Sequence, residues 1–293
     1  MSAISANMNR PGAPDLCVAQ AIATAVATGL DRLDAQLLLL HVLGKPAHDR
    51  AWLLAHDTDA LSPAQRATFD TCVQRRAAGE PLAYITGHKE FYGLDLRVDA
   101  RVLVPRPDTE TLVDWALEVL APATGQLTDT TVLDLGTGSG AIALALKATR
   151  PDLTVRAIDY SDDALAVARA NAQRLNLDVQ FQQGSWLAGV AGKFQSIVSN
   201  PPYIAAQDEH LSALTHEPLQ ALASGDDGLD DLRQIITQAP ACLLAGGWLL
   251  LEHGYDQAAA VRDLLRAAGF RHVQSRQDLS GIERCSGGQR PQA

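Results

Sequence analysis

Thr131-Val-Leu-Asp-Leu-Gly136-Thr-Gly138-Ser-Gly140, running straight into the alanine-rich Ala141 to Ala148, is the stretch whose reading decides the fold. A short apolar run, a glycine turn and an apolar run of helical length describe a buried strand feeding a helix. Glycines let a backbone approach a ligand closely, and the N-terminus of the following helix favours electron-rich groups. The spacing is G-x-G-x-G, not the G-x-G-x-x-G typical of dinucleotide folds. Taken alone, such a loop fits an ordinary turn almost as well.

Working outward, the next predicted strand (Leu153 to Ile158) ends at Asp159. An acidic residue there binds ribose hydroxyls in nucleotide-binding sheets; the bland reading is a cap on the helix opening near Ser161. Trp186 follows a strand predicted over Val179 to Gln182, and its ring suits either adenine stacking or the core. A further strand, Phe194 to Ser199, runs into Asn200-Pro201-Pro202-Tyr203. Ligands of α/β sheets gather at strand carboxyl ends, so this tetrapeptide sits where chemistry happens. The Asn200 side-chain carbonyl and a neighbouring backbone carbonyl can each accept an N–H from a planar NH2 group. The prolines stiffen the segment and remove donors, while Tyr203 offers a flat stacking face. The bland reading is a proline-rich turn closing a strand.

The 293 residues suffice for one full-size domain and a smaller one. Before residue 84 the patterns are helical: Leu16 to Thr28, then Asp31 to Leu43 with Gly44 and Pro46 as stop signals. Ser62-Pro63-Ala64-Gln65 reads as a capping box opening a helix to about Ala78. The leucines 37–40 read as the core of a small bundle. A connecting segment, residues 84–104, carries a predicted β-hairpin at Glu90 to Gly93 and Leu94 to Asp99. Pro107-Asp108-Thr109 then starts a helix through Leu120, and the bland reading of Arg106 and Asp108 is helix capping with a local ion pair. Strands and helices alternate to the end. The expectation is an α/β, doubly wound sheet over 105–293 behind a helical-bundle domain over 1–83.

The formal charge is −10, with 34 acidic residues against 24 Lys and Arg. An enzyme gripping nucleic acid needs a basic footprint, and only short pairs such as Arg75-Arg76 occur, so a protein substrate is expected. Cys17, Cys72, Cys242 and Cys285 are scattered without a C-x-x-C pair and read as reduced thiols. The histidines offer no metal-binding spacing, and no metal is expected. No run is long and apolar enough for a membrane span, and the N-terminus shows no signal pattern, so the expected location is the cytoplasm.

Asp134 to Gly140, Asp159 and Asn200 to Tyr203 together resemble the class I S-adenosylmethionine-dependent methyltransferases that modify planar nitrogens. Other segments narrow the resemblance to the release factor glutamine methyltransferase (PrmC/HemK) family. They are Glu80-Pro-Leu-Ala-Tyr-Ile-Thr-Gly87, Glu90-Phe-Tyr-Gly93, Val102-Leu-Val-Pro-Arg-Pro-Asp-Thr-Glu110, Asn200 to Ile204, Glu217-Pro218 with Ala221-Leu222, Asp227-Gly228-Leu229, and Gly246 to Gly254. The Pro-Arg-Pro-Asp-Thr-Glu run argues against the sister enzyme that methylates a ribosomal-protein glutamine. The resemblance implies methyl transfer from S-adenosylmethionine to the side-chain amide nitrogen (N5) of the Gly-Gly-Gln glutamine of class 1 peptide chain release factors. It implies a cofactor site of Gly136, Thr137, Gly138, Ser139, Gly140, Asp159, Trp186 and Asn200. Catalysis would fall to Asn200, Pro201 and Tyr203, and glutamine binding to these with Pro202. The helical domain would dock the release factor.

The rivals are an N6-adenine or N2-guanine nucleic-acid methyltransferase, a nucleotide-dependent oxidoreductase and a non-catalytic adaptor. Two features depart from the family pattern. Ser224-Gly225 stands where a double glycine is expected, and the chain itself carries Gly287-Gly288-Gln289 near its end. The latter reads as coincidence in a frayed terminus, with self-methylation or occlusion of the site by another copy's tail as the alternative.

Overall fold

The computed structural model describes residues 16–121 and 130–292. The N-terminal stretch read for a signal pattern, and the first residues of the 1–83 domain, lie outside them. The chain divides into two compact units between Thr86 and Gly87.

Among the described residues of the first unit are five helices: α1 (Val18–Ala27), α2 (Arg32–Val42), α3 (Arg50–Ala55), α4 (Pro63–Ala77) and α5 (Leu82–Thr86). The Ser62 and Gln65 side chains each accept the other's backbone N–H, which satisfies orphan donors at the start of α4. Asp31 caps α2 through the Leu33 N–H. Leu38, Leu39 and Leu40 are fully buried with Ile22, Leu53 and Phe69, so the leucine run is core. Asp34 meets Arg76 at 2.6 Å, tying α2 to α4.

In the second unit, β1 (His88–Phe91) and β2 (Leu94–Arg97) form an antiparallel hairpin. A 3-10 turn (Pro107–Thr109) leads into α6 (Glu110–Val119). There follow β3 (Thr131–Leu135), α7 (Ala141–Thr149), β4 (Thr154–Asp159), α8 (Asp162–Leu175), β5 (Gln180–Gln183), β6 (Phe194–Ser199), α9 (Asp230–Cys242), β7 (Leu243–Glu252), α10 (Ala258–Ala267), β8 (Arg271–Gln277) and β9 (Glu283–Gln289). The seven strands order as β5-β4-β3-β6-β7-β9-β8. The first five are parallel, and β9 runs antiparallel to both β7 and β8.

Alternation along the strands builds two cores. Val132, Val198 and Leu250 face the cluster that holds Leu112 and Trp115 of α6 and Leu144 of α7. Leu133, Ile197 and Leu249 face the other, with Ile235 of α9 and Val261 of α10. Every central strand is covered on both sides, hence its near-continuous apolar sequence.

The chain winds outward one way from β3 to β5 and the other way from β6 to β8, so the switch point lies between β3 and β6. A crevice opens there at the strand carboxyl ends. The Ser199 hydroxyl donates to the Leu135 carbonyl at 2.7 Å, locking those two ends together.

The structure corrects two expectations. The tail is not frayed: Ser286, Gly287 and Gly288 are buried in β9. A Cβ on Gly287 would come within 2.6 Å of Leu250 Cδ2 and 2.7 Å of the Leu249 carbonyl. Those glycines let β9 pack, and only a tertiary partner reveals it. Nor does Arg106 pair with Asp108; it meets Glu217 at 2.5 Å, while Asp108 lies 3.4 Å from Arg284. Both partners are distant in sequence, so local inspection favours the wrong one.

Candidate active site

The glycine turn after β3 is sewn to the end of β4, because the Ile158 carbonyl accepts both the Gly136 and Thr137 N–H groups. Asp159 then accepts the Gly138 N–H at 2.8 Å on Oδ2 and the Ser161 N–H at 2.9 Å on Oδ1. It therefore serves the turn and the entry to α8, where Ser161 is the cap. Each Asp159 oxygen keeps a second lone pair for a ligand hydroxyl. Burial raises the Asp159 pKa, and the backbone donors at Ser161 and Gly138 oppose that rise.

Below the turn, Asp134 is wholly buried, and burial pushes it up to about 7 against the Thr137 hydroxyl and the Ala143 N–H. It thereby ties the strand to the turn and to α7. Asn171 of α8 donates to the Ser139 carbonyl and exchanges two hydrogen bonds with the Arg97 backbone, fastening the glycine loop to β2.

A cleft of about 330 Å³ opens over this turn, lined among others by Gly136, Gly138, Asp159, Trp186, Asn200 and Pro202. Thr137, Ser139 and Gly140 are not among its lining residues. Thr137 and Ser139 are buried, and Gly140 caps α7, so these three shape the loop behind the cleft. Gly136 has φ +69°, and a Cβ there would press to 3.3 Å on the Trp186 ring. The indole thus lies against the glycine loop, its Nε1 donating to Asp231 Oδ1 at 2.9 Å. The strand before Trp186 is displaced one residue from its expected span, to Gln180–Gln183.

Asn200 lies at the end of β6, next to β3, so the switch point brings it to the glycine loop. Its Nδ2 donates to Thr109 Oγ1 at 3.1 Å, which leaves Oδ1 as its free acceptor. Pro201 and Pro202 are buried. The Tyr203 carbonyl accepts from Gln257 Nε2 at 2.9 Å, and its hydroxyl lies 3.5 Å from Glu252 Oε1. Burial, and secondarily the Glu252 charge, raise the Tyr203 pKa, so the phenol stays protonated. Gly228 (φ +73°) backs this turn so closely that a Cβ would fall 2.2 Å from the Tyr203 carbonyl.

The opposite wall is clamped by Glu217, which is buried and accepts from the Val104 N–H (3.0 Å) and Arg106 (2.5 Å). Ser224, the departure from the double glycine, accepts the Asp231 N–H at the start of α9 through its hydroxyl. It supplies a cap that glycine lacks.

Sequence reasoning overlooked Thr109, Asn171, Asp231 and Glu252. The available signals were Thr109, inside the Val102 to Glu110 run that carries the family resemblance, and Glu252, a carboxylate ending the apolar run Leu249 to Leu251. Glu252 is 1% exposed, and burial pushes it up to about 7. Among the described residues, no cluster of His, Cys, Asp and Glu could hold a metal ion, and no helix is long and apolar enough to cross a membrane.

Residues 109–267 match the family model for the methyltransferase small domain, and residues 19–87 that for the PrmC N-terminal domain. The chain is 50% identical over 264 residues to the release factor glutamine methyltransferase of Bordetella pertussis, covering 89% of this chain and 95% of that one. This chain belongs to the release factor glutamine methyltransferase family. Another family member, from Pseudomonas aeruginosa, is 51% identical across 88% of this chain and 92% of its own. Among solved structures, a methyltransferase from Pyrococcus furiosus aligns with TM-score 0.51 at 20% identity, covering 68% of this chain and 90% of that one. The hMettl16 catalytic domain in complex with an MAT2A 3'UTR hairpin aligns with TM-score 0.54 at 16% identity, covering 76% and 81%. At such identities these two speak for the fold alone.

Proposed function

We propose that this protein transfers the methyl group of S-adenosylmethionine to the side-chain amide nitrogen of the Gly-Gly-Gln glutamine in class 1 release factors. One observation carries the reading at the site. Asn200 turns its amide NH2 toward Thr109 and Glu252 and so offers a carbonyl oxygen at the cleft, beside the glycine loop.

The residues present suit the cofactor. Asp159 has lone pairs to spare for a ribose diol, the Trp186 face is available to an adenine, and Gly136 and Gly138 permit close backbone approach. Thr137, Ser139 and Gly140 hold that loop in place. S-adenosylmethionine, when bound, supplies a reactive methyl on a sulfonium. The chain's own task is alignment, because an amide nitrogen is a poor nucleophile with its lone pair delocalised into the carbonyl. Asn200 Oδ1 and the Pro201 carbonyl accept its two N–H bonds, while Pro202 and Tyr203 shape the slot. Such positioning contributes roughly 7–11 kcal/mol. The two hydrogen bonds strengthen as positive charge develops on nitrogen, so they favour the transition state. No strong base is required.

The helical unit docks the release factor, and the segment after it, expected over 84–104, links it to the methyltransferase domain. The chain works in the cytoplasm, and its charge of −10 argues against a nucleic-acid substrate. The test is a mass-resolved methylation assay on an unmodified class 1 release factor, with structured RNA and DNA in parallel. One methyl on the Gly-Gly-Gln glutamine is expected. Asn200→Ala lowers turnover about 10²–10³-fold while cofactor binding holds within about threefold. Methyl transfer to nucleic acid only, or full turnover by the variant, refutes the assignment.

A further inference from the structure

Thr109, entering α6, and Glu252, ending β7, lie beside Asn200 with 4% and 1% of their surfaces exposed. The Glu252 carboxylate is thinly bonded: Oε1 has a 3.5 Å contact with the Tyr203 hydroxyl, Oε2 has no partner within hydrogen-bond distance, and the Thr109 hydroxyl and Asn200 amide are the side-chain donors that face it. An unsatisfied buried acceptor is destabilising, so a carboxylate at this place in an apolar strand needs a reason. A hydroxyl has one proton and two lone pairs, so the direction of the Thr109 proton decides what its oxygen can do.

We propose that Glu252 and Thr109 are positioning residues that fix the polarity of the Asn200 amide. The ionised carboxylate draws the Thr109 hydroxyl proton, the Thr109 oxygen accepts an Asn200 Nδ2–H, and the Asn200 carbonyl is held toward the cleft. This rests on the methyl-transfer reading above, and adds what makes Asn200 an acceptor there. A protonated Glu252 can instead donate to the Thr109 oxygen. The Thr109 proton is then free for Asn200 Oδ1, the amide turns over, and its NH2 confronts the NH2 of the glutamine. Turnover then depends on Glu252 being ionised.

The groups facing Glu252 are Asp108 before α6, Arg284 and Cys285 of β9, and Tyr203 after β6. Burial raises its pKa most and Asp108 raises it further, while Thr109, Arg284 and Asn200 lower it. With the group held at about 7, turnover rises with pH through neutrality.

The test compares Thr109→Val, which keeps the shape without the hydroxyl, with Thr109→Ser, which restores it. Turnover of a release factor is measured together with KM and the Kd of S-adenosylmethionine. We expect Val to lower kcat about 10–100-fold, with KM and Kd within about threefold of wild type, and Ser to recover within about threefold. The wild-type kcat should rise with a midpoint near pH 7, and Glu252→Gln should be slower and flat through that range. Wild-type kcat in Thr109→Val, no recovery in Thr109→Ser, or an unchanged pH profile in Glu252→Gln overturns the inference. Asn200→Ala, run alongside, separates the failures. If it alone is inactive, only the orienting relay is lost; if it too keeps full turnover, the methyl-transfer reading of the site falls.

Discussion

Glu252→Gln tests the electrostatics of the site through stability, independently of turnover. Burial lifts the Glu252 carboxyl from 4.5 to about 7, so folding favours its protonated form. Below about pH 4.5 the group is neutral in both states and costs nothing. As pH rises the unfolded chain ionises first, and the native state loses stability until its own carboxyl ionises near pH 7. The full penalty, 2.5 pKa steps at about 1.36 kcal/mol each, is about 3.4 kcal/mol above neutrality. At about pH 5 it amounts to only about 0.8 kcal/mol, so wild type should lose about 2.5 kcal/mol through this group between pH 5 and 8.5. Glutamine cannot ionise. The variant's advantage over wild type should therefore grow by about 2.5 kcal/mol across that range, whatever the swap costs in contacts. Asp134, also held at about 7, is common to both proteins and cancels. Urea unfolding at the two pH values, with matched ionic strength, reads the difference. A pH-independent difference between the two proteins would falsify the burial argument.

Other expectations follow from single contacts. Gly228→Ala places a Cβ into the Tyr203 carbonyl at positive φ, which should cost about 2–4 kcal/mol and depress turnover more than cofactor affinity; normal kinetics would refute the close approach. Gly287→Ala should destabilise by about 1–3 kcal/mol by pushing β9 off Leu250, a loss that denaturant titration would register. Intact mass after incubation with S-adenosylmethionine alone should show no methyl on Gln289, whose Nε2 is held by the Gly246 carbonyl inside the sheet. Trp186→Ala should weaken cofactor binding with little change in kcat, as titration calorimetry would report; unchanged affinity would remove the indole from the site.

Local pattern carried much of this protein. A strand, glycine turn and helix are written into Thr131 to Ala148 because apolar period and glycine act within a few residues. The Ser62–Gln65 cap and the hairpin at 88–97 are legible for the same reason. So was the position of Asn200, since an apolar strand that ends in a proline-stiffened acceptor segment announces itself.

What the sequence left open was pairing. Nothing local says that β6 lies beside β3, yet that adjacency alone brings Asn200 to Gly136. Arg106 seemed to belong to Asp108 until the chain brought Glu217 to it. The terminal glycines passed for a loose end, when β7, Trp115 and Phe270 require their lack of side chains. Glu252 was one more acid until burial on every side withheld water from it. The periodicity of a segment reports which face it buries; which partner covers that face, and what that does to a charge, is settled only when distant segments meet.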